Sequence, residues 1–367
     1  MLRPSVGRAA DPAPLPAFQG GGPLHGVAPD PIAPPPYQLR WQYKAGDDEK
    51  RASIENNPTI AGDTAYVADS AGTLHAINLA DGKARWTYKT EGGFATTPLV
   101  LNGKIYLGDL DGFLHCIAAD KGTKLWTFDS QGSIHSSANV SPDGKTIVFG
   151  NDNADVFAVD ADTGHKVWEG RGGDRINACP AVGYDAAFFT GCDARLLALN
   201  LKDGTERFAV ELGGLAPGSP ALLEDRIIAA TGEGAVLAWT PDGKKQLWKY
   251  DDVDQQQAMF YSSPAVADGI VVLGCRDRLV HAIDVKTGKR AWAFKTRGEV
   301  DATAVISAGR VYVPSKDKKL YVLDLKTGAK LWEFTAGRGV TAGPAIASNV
   351  IVFGDTAGNV YCLEQKK

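Results

Sequence analysis

Short runs of Val, Ile, Leu and Tyr, separated by clusters of Gly, Asp and Lys, recur along this chain at an interval of about 40 residues. The copies from 263 to 292 and from 303 to 332 align without a gap, and each holds three such runs followed by a fourth around a Trp. Short apolar runs bounded by turn residues predict β-strands. No segment shows a sustained helical period with caps, so the pattern predicts an all-β chain of repeated four-stranded units.

A large aromatic residue marks the fourth strand of each unit. Seven Trp and one Phe occupy this position: Trp41, Trp86, Trp126, Trp168, Phe208, Trp248, Trp292 and Trp332. In three units the preceding turn reads Asp-x-x-Thr-Gly-x-x-x-Trp, as from Asp284 to Trp292. Asp and Thr side chains satisfy the backbone of a tight hairpin, and Gly adopts the positive φ that closes it. We expect each aromatic ring to pack on the neighbouring unit and to have a structural role.

The number of units follows from the residue at which each first strand begins. Eight such markers occur: Pro58, Pro98, Ala138, Pro180, Pro220, Pro264, Ala304 and Pro344. The last unit lacks its fourth strand, whereas residues 39–43 carry the aromatic pattern of a fourth strand ahead of the first unit. This predicts an eight-bladed β-propeller of four-stranded antiparallel blades, closed by an N-terminal strand that completes the C-terminal blade. Residues 39–367 are assigned to the propeller. Residues 1–38, rich in Pro, Gly and Ala, are expected to be an extended or disordered tether.

The units resemble the repeats of the pyrroloquinoline quinone (PQQ) type β-propeller family, which combine a small residue, Asp, Thr-Gly and a docking Trp. The resemblance runs from Leu39 to Leu363. It implies the fold more specifically than the function, because the superfamily holds quinoprotein dehydrogenases, the propeller lipoprotein of the outer-membrane β-barrel assembly machinery, and envelope sensor domains. Three functions are therefore considered: a non-catalytic scaffold resembling that lipoprotein, a PQQ-dependent dehydrogenase, and the ligand-sensing domain of a larger receptor.

The dehydrogenase alternative requires particular cofactor-binding residues, which can be looked for in the sequence. The resemblance implies a quinone above the axial channel, held by two adjacent Cys, a stacking Trp, and calcium bound to Glu, Asn and Asp. Glu55, Asn177 and Asp301 match that last set, but no two Cys are adjacent. The only Trp outside the docking series, Trp239, lies at a position expected to be core. We expect no catalytic residue, no metal site and no cofactor, with PQQ and calcium as the alternative.

Composition narrows the function little. The net charge of −4 gives no reason to expect nucleic-acid binding, and no apolar run is long enough to span a membrane. The first residues lack the apolar core of a signal peptide, but the resemblance implies export. We expect a monomeric periplasmic or cell-envelope protein whose signal is absent from this sequence, with the cytoplasm as the alternative. A protein or peptide partner is expected, and a small ligand is possible.

The Cys and His residues offer few functional candidates. Cys179 and Cys192 flank one hairpin, and a disulfide between them is an open alternative. His75, His115 and His281 align at one third-strand position, which predicts packing residues in three separate blades. The Asp-rich turns at 108–112 and 150–155 could offer oxygen ligands to calcium, but hairpin turns require such residues anyway. We therefore interpret these turns as solvated.

Two loops break the regular spacing of the repeat. Each docking aromatic is followed by the marker of the next unit. The marker comes 17 residues after Trp41 and 16 residues after Trp248, whereas in the other six units it comes 12 residues after the aromatic. Both loops join an outer strand to the next inner strand, so they emerge on one face together with the loops between second and third strands. Arg51 and Gln257 lie in them and are binding candidates. Ordinary insertion in surface loops is the alternative.

The residue three before each marker varies, whereas the one preceding it is always apolar. We expect the varied side chains to turn toward the mouth of the axial channel. With nearby Arg residues they form a candidate site for a small anion, a peptide or a cation, and a merely hydrated polar funnel is the alternative. The candidates of this ring and its surroundings are Glu55, His135, Arg175, Asn177, Tyr261, Asp301, Arg338 and Thr341.

The loops between second and third strands also differ in charge. Early blades carry acidic turns, and later blades carry Arg276, Arg278, Lys316, Lys318 and Lys319. This predicts a face that is acidic on one side and basic on the other. Such an arrangement orients a protein partner more than it increases affinity.

Overall fold

The eight repeats form eight separate sheets arranged in a ring. The computed structural model describes residues 17–46, 52–253 and 258–366. Within those ranges, 32 strands form eight antiparallel sheets of four strands each. First strands of neighbouring blades contact each other, so they line the axis. The prediction of an all-β, eight-bladed propeller is confirmed.

Each blade consists of four strands numbered from the axis outward. Blades 1 to 4 are β2 (Thr59–Ala61), β3 (Thr64–Ala68), β4 (Thr73–Asn78), β5 (Ala84–Lys89); β6 (Leu99–Leu101), β7 (Lys104–Gly108), β8 (Phe113–Ala118), β9 (Lys124–Asp129); β10 (Asn139–Val140), β11 (Thr146–Gly150), β12 (Asp155–Asp160), β13 (Lys166–Arg171); and β14 (Ala181–Gly183), β15 (Ala186–Thr190), β16 (Arg195–Asn200), β17 (Glu206–Glu211).

The other four blades have the same order. Blades 5 to 8 are β18 (Ala221–Leu223), β19 (Arg226–Ala230), β20 (Val236–Trp239), β21 (Gln246–Tyr250); β22 (Ala265–Ala267), β23 (Ile270–Gly274), β24 (Leu279–Asp284), β25 (Arg290–Lys295); β26 (Val305–Ser307), β27 (Arg310–Pro314), β28 (Lys319–Asp324), β29 (Lys330–Thr335); and β30 (Ala345–Ala347), β31 (Val350–Gly354), β32 (Asn359–Gln365) with β1 (Tyr37–Lys44) as the outer strand.

The ring closes through the N-terminal strand β1. Its sheet has the order β1-β32-β31-β30, and β1 pairs with β32 in an antiparallel register that places Leu39 opposite Leu363 and Trp41 opposite Cys362. This confirms the predicted closure, although the strand begins two residues before the expected boundary at Leu39. Pairing the first strand with the last removes an open sheet edge from the ring.

The docking aromatics join each blade to the next. The indole of Trp41 donates a hydrogen bond to the carbonyl of Leu79 in blade 1 at 2.9 Å, and Trp292 bonds in the same way to Leu325 in blade 7. The ring of Trp248 covers Gly288, where a Cβ would lie 2.6 Å from the ring. Gly288 also has a φ of +67°. The Gly of the Thr-Gly turn therefore both closes the hairpin and seats the aromatic ring of the preceding blade.

Residues 17–36, which we call the axial segment, run through the centre of the ring. The segment begins with a single 3-10 turn, Phe18–Gly20. Its backbone carbonyls then accept hydrogen bonds from the middle residues of four successive inner strands. These bonds run from the amides of Val182, Leu222, Val266 and Ile306 to the carbonyls of Gly22, Pro23, His25 and Gly26, respectively.

The structure here differs from the tether expected for residues 1–38. Leu24 of the axial segment has no exposed surface and packs with the core of blades 4 and 5. Gly26 has a φ of +66°, and a Cβ there would lie 2.9 Å from the Cβ of Ala265. The physical reason is that inner strands turn backbone amides toward the channel, where they require acceptors. The part of the tether before residue 17 lies outside the described residues.

Among the residues that the structure describes, no helix has the length and apolar character needed to cross a membrane.

Candidate functional site

A cavity of about 170 Å³, which we call the funnel, lies on the axis above the axial segment. Residues from all eight blades line it, and Phe18 of the axial segment contributes to its wall. Every residue three positions before a marker is among them: Glu55, Ala95, His135, Asn177, Pro217, Tyr261, Asp301 and Thr341. The structure thus brings together six of the candidates from the sequence in one cavity. Ligand binding by them stays a prediction.

The funnel residues are oriented by apolar neighbours. The residue that precedes each of them is at most 2% exposed, as in Ile54, Phe260 and Val340. These side chains pack into the blades, as in the contact that Ile54 makes with Gly354, where a Cβ would lie 2.2 Å from Ile54. Because neighbouring residues of extended backbone point in opposite directions, the next side chain faces the axis.

A ring of small, mostly polar residues lies one residue before each marker, and all of them except Gly343 line the funnel. The amide of Thr97 donates to Ser137 Oγ of the next blade at 2.9 Å, and that of Ser219 donates to Ser263 Oγ at 2.9 Å. Gly343 closes the circuit by donating to Asn57 Oδ1 at 2.7 Å. Sequence reasoning missed this ring, although the signal is a small or polar residue before each marker: Asn57, Thr97, Ser137, Cys179, Ser219, Ser263, Thr303 and Gly343.

Asp301 forms the centre of an ion-pair cluster at the funnel wall. Arg276 binds both of its carboxylate oxygens at 2.9 and 3.0 Å, and Lys316 lies 2.7 Å from one of them. Lys316 also pairs with Glu299 at 2.7 Å, and the Arg276 guanidinium covers the Tyr261 ring at 3.7 Å from its centroid. Burial alone would raise the pKa of Asp301, but the hydrogen bonds from Arg276 and Lys316 hold that pKa below its ordinary value.

This cluster yields a stability prediction. Replacing Asp301 with Asn should lower the free energy of unfolding at pH 7 by about 1.5–3 kcal/mol, since charged hydrogen bonds are lost and two cations remain. The folded-state pKa is depressed, so the contribution is present above the unfolded pKa near 4 and is lost as pH falls through the folded value. Urea unfolding at pH 7 and pH 3 tests this, with Asp111→Asn as an exposed control. If Asp301→Asn lowers the free energy of unfolding as much at pH 3 as at pH 7, the depressed pKa of Asp301 is contradicted.

The remaining funnel candidates are less constrained. Glu55 is exposed and accepts a hydrogen bond from Ser53 at 2.7 Å. His135 lies 3.6 Å from Asp152. Two buried side-chain oxygens in the wall have no hydrogen-bond partner among the described residues, Asn177 Oδ1 and Thr341 Oγ1.

Four candidates are not among the described residues that line the funnel. Arg175 and Arg338 are exposed but do not line the cavity. Arg51 and Gln257, in the two long loops, lie outside the described residues.

The three aligned histidines are buried and form a repeated network. In each case one ring nitrogen contacts an Asp carboxylate and the other contacts a Tyr hydroxyl. His75 contacts Asp69 at 2.9 Å and Tyr43 at 3.0 Å. His115 and His281 have the corresponding contacts with Asp109 and Tyr88, and with Asp277 and Tyr250. The expected packing role is therefore accompanied by hydrogen bonds between side chains far apart in the sequence.

A possible metal-binding group includes one of these histidines. Ligand atoms of Cys275, Asp277 and His281 lie within 4.8 Å of one another. Cys275 occupies the position that Asp69 and Asp109 hold in blades 1 and 2, six residues before the His. Since those blades form the same network without a Cys, the arrangement is explained by blade packing.

The disulfide alternative is not realised. All five cysteines are free, with Cys179 buried and Cys192 exposed. The hairpin pairs Ala181 with Phe188, and Cys192 lies beyond its second strand, where its amide donates to the Arg175 carbonyl. The strand pairing ends before Cys192, so the two cysteines of this hairpin do not lie opposite each other. Burial raises the pKa of the Cys179 thiol, which makes it a poor nucleophile.

The Asp-rich turns are buried at their first polar residue rather than solvated. Asp109 accepts the amide of Phe113 at 2.8 Å through one oxygen and contacts His115 through the other. Asn151 accepts the amides of Asn153 and Asp155 at 3.0 and 2.9 Å. These oxygens hold their own turns, so they are unavailable to calcium.

The funnel does not fit a calcium-bound quinone. Of the Glu, Asn and Asp candidates, Asp301 already binds Arg276 and Lys316 through both oxygens. That leaves Glu55 and Asn177, and calcium requires 6–8 oxygen ligands.

Comparison with known proteins identifies the family. A family model described as outer membrane protein assembly factor BamB matches residues 37–177 and 152–367. The chain belongs to this family. The BamB of Salmonella typhimurium is 31% identical over 73% of this chain and 71% of its own length, and that of Escherichia coli is 32% identical over 69% and 66%. The family is one of assembly factors and not of enzymes, so this chain is a non-catalytic propeller.

Solved structures agree on the fold. BamB from Moraxella catarrhalis superposes with a TM-score of 0.74 at 17% identity, covering 90% of this chain and 98% of that one. The quinohemoprotein alcohol dehydrogenase of Comamonas testosteroni has a TM-score of 0.80 at 15% identity, covering 97% and 81%. At such identities these likenesses establish the shared propeller alone.

Proposed function

We propose that this protein is a cell-envelope scaffold that binds a protein partner in outer-membrane protein assembly, through the face on which the funnel opens. Membership of the BamB family supports the assembly role, and the family's description as an outer membrane protein assembly factor supports the location. The funnel is the observation that supports the choice of this face. It gathers the variable residues of all eight blades, while the axial segment fills the channel beneath it.

The charge of this face supports binding to a protein. Its loops between second and third strands carry exposed Asp111 in blade 2 and Glu233 in blade 5, followed by exposed Arg278 in blade 6 and Lys318 in blade 7. The acidic and basic residues therefore occupy different sectors of the ring. A partner with the complementary arrangement would be oriented on approach.

The two long loops join outer to inner strands, so the loop ends that the structure describes lie on the same face, beside blades 1 and 6. A protein ligand would contact such loops around the funnel rim, since binding residues concentrate on loops held by a rigid scaffold. Arg175 and Arg338 are exposed near the rim and would lie in the interface.

Trimming the loops tests the proposal. A variant with both long loops cut to the common 12-residue spacing should recover less of the outer-membrane assembly proteins from envelope extract than the unaltered chain. A matched control shortens the turn at residues 142–144, which joins β10 and β11 on the opposite face. Both variants must first show unchanged melting temperatures. Equal recovery by the trimmed variant and the unaltered chain would contradict the choice of face.

A further inference from the structure

The charged side chains that line the funnel leave one charge uncompensated. They are Glu55, Asp301 and the titratable His135. Asp301 and Glu299 balance Arg276 and Lys316, so that sector carries no net charge. Glu55 has no cationic partner among the described residues, since its recorded contact is with the Ser53 hydroxyl. Among the residues that the structure describes, the funnel wall therefore presents a single free carboxylate.

Unused hydrogen-bond acceptors complete the wall. Asn177 Oδ1 and Thr341 Oγ1 are buried and unpartnered. Thr341 precedes blade 8, next to Glu55 at blade 1, and Asn177 precedes blade 4, on the opposite side of an eight-fold ring. A buried polar atom without a partner is costly, and these two atoms have essentially no accessible surface, so a ligand reaches them only if the Asn177 and Thr341 side chains rotate toward the cavity.

The size and floor of the funnel limit the ligand further. Its volume of about 170 Å³ is roughly tenfold the ~10–15 Å³ that one water requires. The axial segment occupies the channel below, and its Phe18 is an apolar residue among those that line the funnel. The funnel is therefore a blind pocket that suits an alkyl stem with a cationic head.

We infer that the funnel binds one monovalent organic cation, the ammonium or guanidinium group of a Lys or Arg side chain presented by the protein partner. This inference rests on the proposed function. A single cation matches the single free carboxylate, and once the Thr341 side chain rotates toward the cavity the N–H groups of that cation can donate to its hydroxyl oxygen beside Glu55. An anion would meet Glu55 without compensation. A divalent metal would find too few oxygen ligands.

A titration with small probes tests the pocket independently of any partner. Propylguanidinium chloride should bind the full chain, as followed by calorimetry, whereas sodium propionate and propanol should not. Glu55→Gln should weaken that binding roughly tenfold, because it removes a charged hydrogen bond. Glu91→Gln, an exposed acid on the same face that does not line the funnel, should leave it unchanged. Preferential binding of propionate or calcium chloride, or equal binding by Glu55→Gln, would overturn the inference.

Partner capture then separates the two proposals. Reduced capture by Glu55→Gln, together with lost propylguanidinium binding, supports a basic side chain in the funnel. Capture that depends on the long loops but not on Glu55 overturns the inference and leaves the proposed function standing. If the unaltered chain captures no assembly protein, the proposed function fails, while the titration still decides whether the pocket binds a cation.

Discussion

Replacing Trp41 with Ala should lower the free energy of unfolding by about 3–5 kcal/mol. Trp41 lies on the closing strand β1, is 7% exposed, and packs with Ile60, Leu79 and Val350 in one core cluster that joins blades 8 and 1. Its indole also donates to the Leu79 carbonyl. Truncation would leave a cavity at the junction on which ring closure depends and would orphan that carbonyl.

Leu39→Ala on the same strand is the matched control. Leu39 is 46% exposed, so its replacement should change stability by no more than about 0.5 kcal/mol. Urea unfolding of both variants provides the comparison. Deleting residues 39–43 should have a still larger effect, since it removes the strand pairing with β32. Equal stabilities of Trp41→Ala and Leu39→Ala would contradict the closure described here.

Leu24→Ala should cost about 2–5 kcal/mol, because it truncates a side chain with no exposed surface. Leu24 packs with Ala181 and Leu222, which belong to the inner strands of blades 4 and 5. The backbone bonds of Gly22 and Pro23 hold it in place between those strands. The residue therefore reports whether the axial segment is part of the folded core.

The control is a Leu in the outer wall of the ring. Leu125 is 50% exposed, and Leu125→Ala should be nearly neutral. Unfolding should remain a single transition in Leu24→Ala, since the segment contacts several blades. A Leu24→Ala variant as stable as the parent would show that residues 17–36 behave as a tether after all.

The fold could be predicted because the sequence repeats it eight times. Turn residues, apolar runs and docking aromatics agree in every unit, and agreement across levels is strong evidence for a structure. The strand closing blade 8 was recognisable because Trp41 and Tyr43 repeat the aromatic pattern of Trp332 and Phe334.

The axial segment was not recognisable in this way. It is held largely by backbone bonds, which leave no side-chain pattern to detect, and its Pro, Gly and Ala content resembles that of a linker. Gly26 is required by its positive φ and by the approach of Ala265, but in the sequence it is one Gly among many.

The candidate site was predicted in outline. Glu55, Asn177 and Asp301 each follow a buried apolar residue. Because side chains alternate in direction along an extended backbone, their position at the axis was predicted correctly. Their pairing state was not predictable, because Arg276 and Asp301 meet across blades 6 and 7 although 25 residues separate them. The carboxylate of Asp301 was therefore expected to be available to a ligand, like the side chains of Glu55 and Asn177, whereas Arg276 and Lys316 neutralise it. The disulfide alternative for Cys179 and Cys192 is not realised for a related reason, because the strand pairing of the hairpin ends before it reaches Cys192.

The central claim is that the funnel face binds the protein partner, and site-specific photocrosslinking tests it most directly. A photoreactive amino acid would replace Arg175 or Arg338 on the funnel face, or Asp143 in the turn between β10 and β11 on the opposite face; all three residues are exposed. In intact envelopes, we expect positions 175 and 338 to crosslink to the same outer-membrane assembly protein and position 143 to give no such product. Crosslinking of that protein from position 143, with none from 175 and 338, would contradict the account.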